Sequence, residues 1–158
     1  MLLKFRMWMA LAGGDDRELM SWSLEDAEPA NGFSCGLIAG HAAIWGRDLV
    51  RARSALAGMI GTGIHGRWVS TVRANLHAGI ASLEGRHEAA AAAWKEVQTT
   101  HRILGTRFSL ALALMDQVAL SPDPRAAEDA AREAAELLRA MGASALEQRL
   151  ELLRVRDR

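Results

Sequence analysis

A helix breaker recurs at an equal interval along this chain, and this spacing constrains the fold more than any other feature. Gly46-Arg47 is followed 39 residues later by Gly85-Arg86, and a further 39 residues lead to Pro124-Arg125. An alanine stands five residues after each arginine. Glycine commonly ends helices and proline suits the first turn of a new one. The interval therefore predicts repeated helical hairpins, each of which needs a stacked neighbour to bury its apolar face.

The residues between the breakers favour helix throughout. Alanine, leucine, glutamate and arginine dominate, and the chain has no tyrosine and no alternating segment bounded by Asn-Gly or Asp-Gly turns. These patterns predict an all-α fold of antiparallel helical hairpins. The predicted helices are 2–12, 16–26, 34–45, 48–60, 67–84, 87–104, 107–120, 125–141 and 144–154.

The same helix-breaking residues divide the chain into successive units of one domain. The units are a partial or atypical repeat at 1–32, repeats at 33–66, 67–105 and 106–143, and a capping helix with a tail at 144–158. The first unit is rich in methionine and tryptophan, so its helices would leave large apolar faces uncovered. Such an open end predicts that the chain continues a longer array, or that it forms a homodimer through Trp8, Met9 and Trp22.

The charge balance and the cysteine content limit which partners the chain is expected to bind and which cellular compartment it is expected to occupy. Lys plus Arg (19) balance Asp plus Glu (19), so no long-range field draws nucleic acid or an anionic membrane to the surface. The apolar run 33–46 has 14 residues and is shorter than the roughly 20 that cross a bilayer. The single cysteine, Cys35, cannot form an internal disulfide. The sequence therefore predicts a cytoplasmic protein without nucleic-acid or membrane partners.

The second turn carries a resemblance to a known family. Gly85-Arg86-His87-Glu88-Ala89-Ala90 followed by Trp94 resembles the tetratricopeptide pattern, and Ala78 and Ala81 occupy its small positions in the first helix. The resemblance implies hairpins stacked in a right-handed superhelix, an α-α solenoid. The sequence departs from the pattern in lacking tyrosine and in having Pro124 at the third turn.

Residues 34–153 also resemble the C-terminal arrays of bacterial proteins that join a nucleotide cyclase or DNA-binding domain to a P-loop ATPase. The similar segments are 83–90, 104–112, 121–124 and 135–143. This resemblance implies a sensing or scaffolding role in which a partner is held on a concave face. The first helices line the inner wall of such arrays, so Arg73, Asn75 and Arg107 are the candidate contacts with a protein or peptide partner.

Several motifs suggest chemistry but have simpler structural interpretations. The segment 61–66 matches the G-x-G-x-x-G string of dinucleotide sites, but a predicted helix precedes it where a strand is required, so we interpret it as a flexible linker. No two histidines stand three or four residues apart on one helix, and no metal site or cofactor is predicted. His101 lies near a helix end, where the dipole favours a cation. Cys35 is expected to be a buried, inert thiol.

The remaining conspicuous side chains are expected to be structural. Arg125, Asp129, Arg132 and Glu136 have helical spacing and predict a solvated face with ion pairs. Trp45 and Trp94 are expected in the core. Structural or surface roles are expected for all five histidines, which are His41, His65, His77, His87 and His101.

The sequence therefore predicts a non-catalytic protein–protein interaction, sensor or scaffold module of a bacterial signalling or transcriptional regulator. Two alternatives stay open at this point. One is a stand-alone adaptor that oligomerises through its N-terminal helices. The other is a small helical enzyme or ligand-binding protein, which would require a convergent polar set that the sequence does not offer.

Overall fold

A computed structural model describes residues 9–11, 13 and 32–155 of the chain, and these residues form helices joined by short connections. Residues 9–11 and 13 are themselves helical. No strand occurs in any of these ranges, so the all-α prediction is confirmed. Between residues 32 and 155 the helices are α1 (Gly32–Trp45), α2 (Leu49–Gly61), α3 (Arg67–Leu83), α4 (His87–Leu104), α5 (Arg107–Leu120), α6 (Pro124–Ala140) and α7 (Ser144–Val155).

These helices begin and end within two residues of the predicted bounds from residue 34 onward. The predicted helices 2–12 and 16–26 lie mostly outside the described residues. Within the described ranges, no helix is both long and apolar enough to span a bilayer. The agreement arises because local signals set the ends: Asp48 and Asp123 each accept a hydrogen bond from the backbone of the helix they precede, and Gly105 ends α4 in the left-handed conformation.

Consecutive helices pack as antiparallel pairs. The most extensive contacts join α1 to α2, α3 to α4, and α5 to α6. The connections within these pairs span only 46–48, 84–86 and 121–123, which forces each second helix to run back along the first. Further contacts join α2 to α3, α4 to α5, and α6 to α7, so the pairs follow one another in chain order.

The 39-residue interval does not describe equivalent positions in the three turns. The first helices of the pairs (α1, α3 and α5) end at 45, 83 and 120, a spacing of 38 and then 37 residues. Gly46 directly follows α1, Gly85 lies in the middle of its turn, and Pro124 is already the first residue of α6. The residue equivalent to Gly85 is Arg47, and both take a positive φ (79° and 57°). The 39-residue interval therefore relates similar residue types and not the left-handed positions of the turns.

The three first helices form the centre of the molecule. Each of α1, α3 and α5 contacts the other two, and most of their residues are buried. The second helices (α2, α4 and α6) bury one stripe each and expose the rest. The exposed face of α6 carries the predicted ion pair between Asp129 and Arg132. In the described part of the chain, the inner face of the hairpins is therefore closed on itself.

Glycines allow α1 and α3 to approach closely. A Cβ atom added at Gly40 would overlap the buried Leu76 of α3, and one added at Gly79 would overlap the buried Ile44 of α1. The two glycines thus receive the large side chains of the opposite helix, which brings the two backbones together.

The described N-terminal residues contribute to the same core. Leu11 is fully buried and belongs to the apolar cluster formed by the helices from α1 onward, while Met9 is 59% exposed. At least part of the apolar N-terminal face is therefore covered within the chain. Trp8 and Trp22, the other predicted interface residues, lie outside the described residues.

We expect Gly79→Ala to be less stable than Gly61→Ala by about 1–3 kcal/mol. Overpacking a core typically costs about 1–3 kcal/mol, whereas the gain in helix propensity of roughly 1 kcal/mol is shared by both variants. Gly61→Ala is the matched control, because Gly61 is also helical and no atom lies within 4 Å of an added Cβ. Urea denaturation of both variants measures the difference. Equal stability of the two variants would contradict the close approach.

Candidate functional site

A buried carboxylate connects the three first helices. Asp116 of α5 has no exposed surface, and its two oxygens accept hydrogen bonds from three side chains. The donors are His41 Nδ1 (2.9 Å) and Trp45 Nε1 (2.8 Å) of α1, and Asn75 Nδ2 (2.6 Å) of α3. Because an unpaired buried charge is strongly destabilising, the three donors are what allows a carboxylate at this position.

The positions of these side chains follow from the parallel arrangement of the first helices. His41 and Asp116 each lie four residues before the end of their helix, so they stand at the same level. Asn75 lies one turn further from the end of α3, because Gly79 occupies the equivalent position and offers no side chain. The guanidinium group of Arg149 lies over the Trp45 ring, 5.6 Å from its centroid, so α7 also packs on this buried polar cluster.

A second buried histidine lies beside the cluster. His101 of α4 is 1% exposed, and its Nδ1 lies 2.8 Å from the hydroxyl of Thr106. Burial, together with the nearby charge of His41, lowers the pKa of His101 from 6.5 to about 4. His101 is therefore neutral at physiological pH, and the favourable interaction of a cation with the helix end does not apply to it. The dipole effect is outweighed by removal of the ring from water.

A groove of about 710 Å³ lies at the end of the molecule where the first helices terminate. Its volume falls within the range of about 300–1,000 Å³ typical of ligand-binding clefts. It is bounded by the three turns between paired helices and by the end of α7. The described lining residues are Arg47, Ser82, Leu83, His87, Val118, Leu120, Ser121, Pro122, Pro124, Ala127, Glu128, Leu153 and Arg154.

The polar groups of the groove are held by the turns themselves. Arg47 Nη2 donates to the carbonyl oxygen of Ala119 at 3.1 Å, and the Ser82 hydroxyl donates to that of Leu120 at 3.0 Å. Arg154 donates to both oxygens of Glu128, at 2.9 and 3.0 Å. These bonds satisfy the carbonyls at the end of α5 and fix the groove wall between α6 and α7.

Arg47 adopts its position at a conformational cost. Among the described residues it is the only non-glycine residue with a positive φ, at 57°. Such a conformation costs on the order of 1 kcal/mol or more and persists only where the surrounding structure holds it. Here the strained turn places the guanidinium group of Arg47 in the groove wall.

Ser82 and His87, which both line the groove, lie close to hydrogen-bond distance from each other. Ser82 Oγ and His87 Nδ1 are 3.4 Å apart, but the serine hydroxyl donates to the carbonyl of Leu120. Within the described ranges no third side chain orients His87, and no group of three metal-binding side chains occurs. The pair therefore lacks the geometry of an activated nucleophile.

The structure separates the three candidate contact residues. Arg73 is half-buried and donates to the carbonyls of Met59 (2.6 Å) and Ile64 (3.0 Å), which ties α3 to the preceding connection. Asn75 is 2% exposed and faces Asp116, so the expectation that it lines an open inner wall is wrong. Arg107 is exposed at the first residue of α5. A role in ligand contact therefore stays a prediction for Arg73 and Arg107.

Other sequence-based interpretations can be placed as well. The segment 61–66 begins at the last residue of α2 and leads into α3, so it connects two helices and does not follow a strand as a dinucleotide-binding loop does. Cys35, Trp45 and Trp94 are buried, as predicted. Neither Asp116 nor the groove was predicted from the sequence. A lone aspartate within the apolar segment 110–120 was the available signal for Asp116, whereas no local pattern marks a groove built from three separate turns.

Comparison of the chain with protein-family models, with curated proteins and with solved structures gave no match.

We expect Asp116→Asn to lower the free energy of unfolding by about 3 kcal/mol, the typical cost of breaking a buried charged pair. The substitution replaces one acceptor oxygen by an NH₂ group that faces existing donors. Asp129→Asn is the matched control, since that side chain is 59% exposed in its ion pair, and we expect a change within about 0.5 kcal/mol. Chemical denaturation at pH 7 measures both. If Asp116→Asn lowers the free energy of unfolding by less than about 1 kcal/mol, the hydrogen bonds to Asp116 do not stabilise the fold as proposed.

We expect the buried His101 to make the stability of the protein depend on pH between 6.5 and 4. In this window the unfolded chain binds a proton at His101 and the folded chain does not, so stability is complete above pH 6.5 and falls toward pH 4. The stability advantage of the wild type over His101→Gln should therefore shrink by roughly 3 kcal/mol over this window. Denaturant titrations at a series of pH values measure it. The same comparison with His77→Gln, at an exposed position, should give a nearly constant difference.

Proposed function

We propose that this chain is a non-catalytic binding module whose groove accommodates a short amphipathic segment of a partner protein. The groove of about 710 Å³ is the observation that carries the proposal. It is large enough for several side chains of a bound segment and is formed by parts of the fold that the buried core holds in place.

The lining of the groove supports a peptide with both apolar and polar side chains. The apolar part is formed by Leu83, Val118, Leu120 and Leu153, which can receive apolar side chains. The polar part includes the hydroxyl groups of Ser82 and Ser121 and the imidazole ring of His87. These groups can form hydrogen bonds, so polar side chains next to the apolar ones fit this wall.

The stacking of the pairs in chain order supports a tetratricopeptide-like arrangement as the finer description of the fold. The contact between α1 and α5 indicates that the pairs wind tightly enough to close the inner face. A partner would then bind at the end of the array and not on a concave wall. As the resemblance implies, we further propose that the module belongs to a bacterial signalling or transcriptional regulator, with a cytoplasmic location.

A stand-alone oligomerising adaptor is the alternative. The exposed Met9 is compatible with it, but the burial of Leu11 and Ala10 leaves less apolar surface at that end than the sequence predicted. The groove, by contrast, needs no second copy of the chain. We therefore favour binding of a partner segment over self-association.

The proposal is tested with a displayed library of random 12-residue peptides selected on the purified chain. We expect selected peptides to combine apolar and hydrogen-bonding residues, and to lose at least tenfold in affinity for Ala127→Glu, which puts a bulky charged side chain into the groove lining. Ala92→Glu, on the exposed face of α4, is the matched control and should retain affinity. Fluorescence anisotropy with the selected peptides measures both variants, and circular dichroism checks that each is folded.

Two results would overturn the proposal. One is that no peptide is enriched over the background of the library. The other is that enriched peptides bind wild type and folded Ala127→Glu equally well, which would place their site outside the groove.

A further inference from the structure

A small cavity lies inside the protein between the first helices and α4. Its described lining residues are Leu37, His41, Val72, Asn75, His101 and Leu112, together with Ser109. The space open to the centre of a water molecule is about 10 Å³, which is close to the minimum of about 10–15 Å³ that holds one water. The cavity is therefore of the right size for a single solvent molecule and for nothing larger.

Asn75 presents an unsatisfied acceptor at this cavity. Its Nδ2 donates to Asp116 Oδ2 at 2.6 Å, and this bond fixes which end of the amide faces the carboxylate. Its Oδ1 is buried and has no hydrogen-bond partner among the described residues. A buried amide oxygen without a partner costs about 1–3 kcal/mol, so a donor at this point would be strongly favoured.

The other polar lining groups can complete the bonding of a solvent molecule. Both histidines use Nδ1 outside the cavity, His41 for Asp116 and His101 for Thr106. The remaining nitrogen, Nε2, is thus what each ring can offer to a molecule in the cavity. The hydroxyl of Ser109 accepts a hydrogen bond from Trp68 Nε1 at 3.0 Å and keeps its own proton to donate.

We infer that this cavity binds one ordered water molecule, which donates to Asn75 Oδ1 and is held by the two histidine rings and Ser109. Buried waters typically make about three hydrogen bonds to groups that otherwise lack partners. Asn75, the two histidines and Ser109 can supply these bonds. The water extends the cluster around Asp116 to His101, so that α1, α3, α4 and α5 share one polar network. This inference is independent of the proposed function, since it concerns the core and not the groove.

The experiment detects the water by nuclear Overhauser contacts in the ¹⁵N-labelled full chain. We expect a cross-peak between a long-lived water and the side-chain Nδ2 protons of Asn75 in the wild type. Val72→Ile adds one methylene group to the cavity wall and should abolish this cross-peak. Val69→Ile makes the same change one turn earlier in α3, at a buried residue that does not line the cavity, and should retain it.

A stability measurement on the same variants gives a second readout. If the cavity holds water, Val72→Ile displaces it and is less stable than Val69→Ile relative to wild type. Filling a dry cavity would instead make Val72→Ile the more stable variant. The inference is overturned if the wild type shows no water cross-peak at Asn75, or if the cross-peak persists in folded Val72→Ile.

Discussion

The carboxylate of Asp116 is the interaction on which the interior of this protein depends. Asp116 is fully buried and accepts hydrogen bonds from three donors on two other helices. These bonds form only if α1, α3 and α5 keep fixed positions along one another. Apolar packing alone tolerates small shifts along a helix axis, whereas hydrogen bonds of 2.6 to 2.9 Å do not. The cluster therefore sets the register of the first helices, and the glycines of α1 and α3 provide the close approach that the bonds need.

This central closure determines where a partner can bind. In an open array the first helices would form an accessible wall, but here they contact one another and are mostly buried. Their ends remain accessible, and the three turns that follow them surround the groove. Arg47 and Ser82 donate to the carbonyls at the end of α5, so the groove wall is bonded directly to the aligned helices. The alignment of the core is thus transmitted to the candidate binding surface through hydrogen bonds from these side chains to the backbone of α5.

The polar interior also explains why His101 stays neutral. Its ring is removed from water and lies near His41, whose proton is directed to Asp116. Burial of the ring, which disfavours its charged form, is the first cause of the lowered pKa of His101.

The sequence by itself determined the helices, their ends from residue 34 onward and the burial of Cys35, Trp45 and Trp94. Capping, glycine and proline signals act within a few residues of the chain and can be recognised locally. The tertiary structure decided which turn residues are equivalent, which way Asn75 faces, and that a groove forms between three turns. These features depend on partners 41 to 75 residues apart, such as Asn75 and His41 with Asp116. Local patterns do not encode such pairings, because they arise only when the first helices pack against one another.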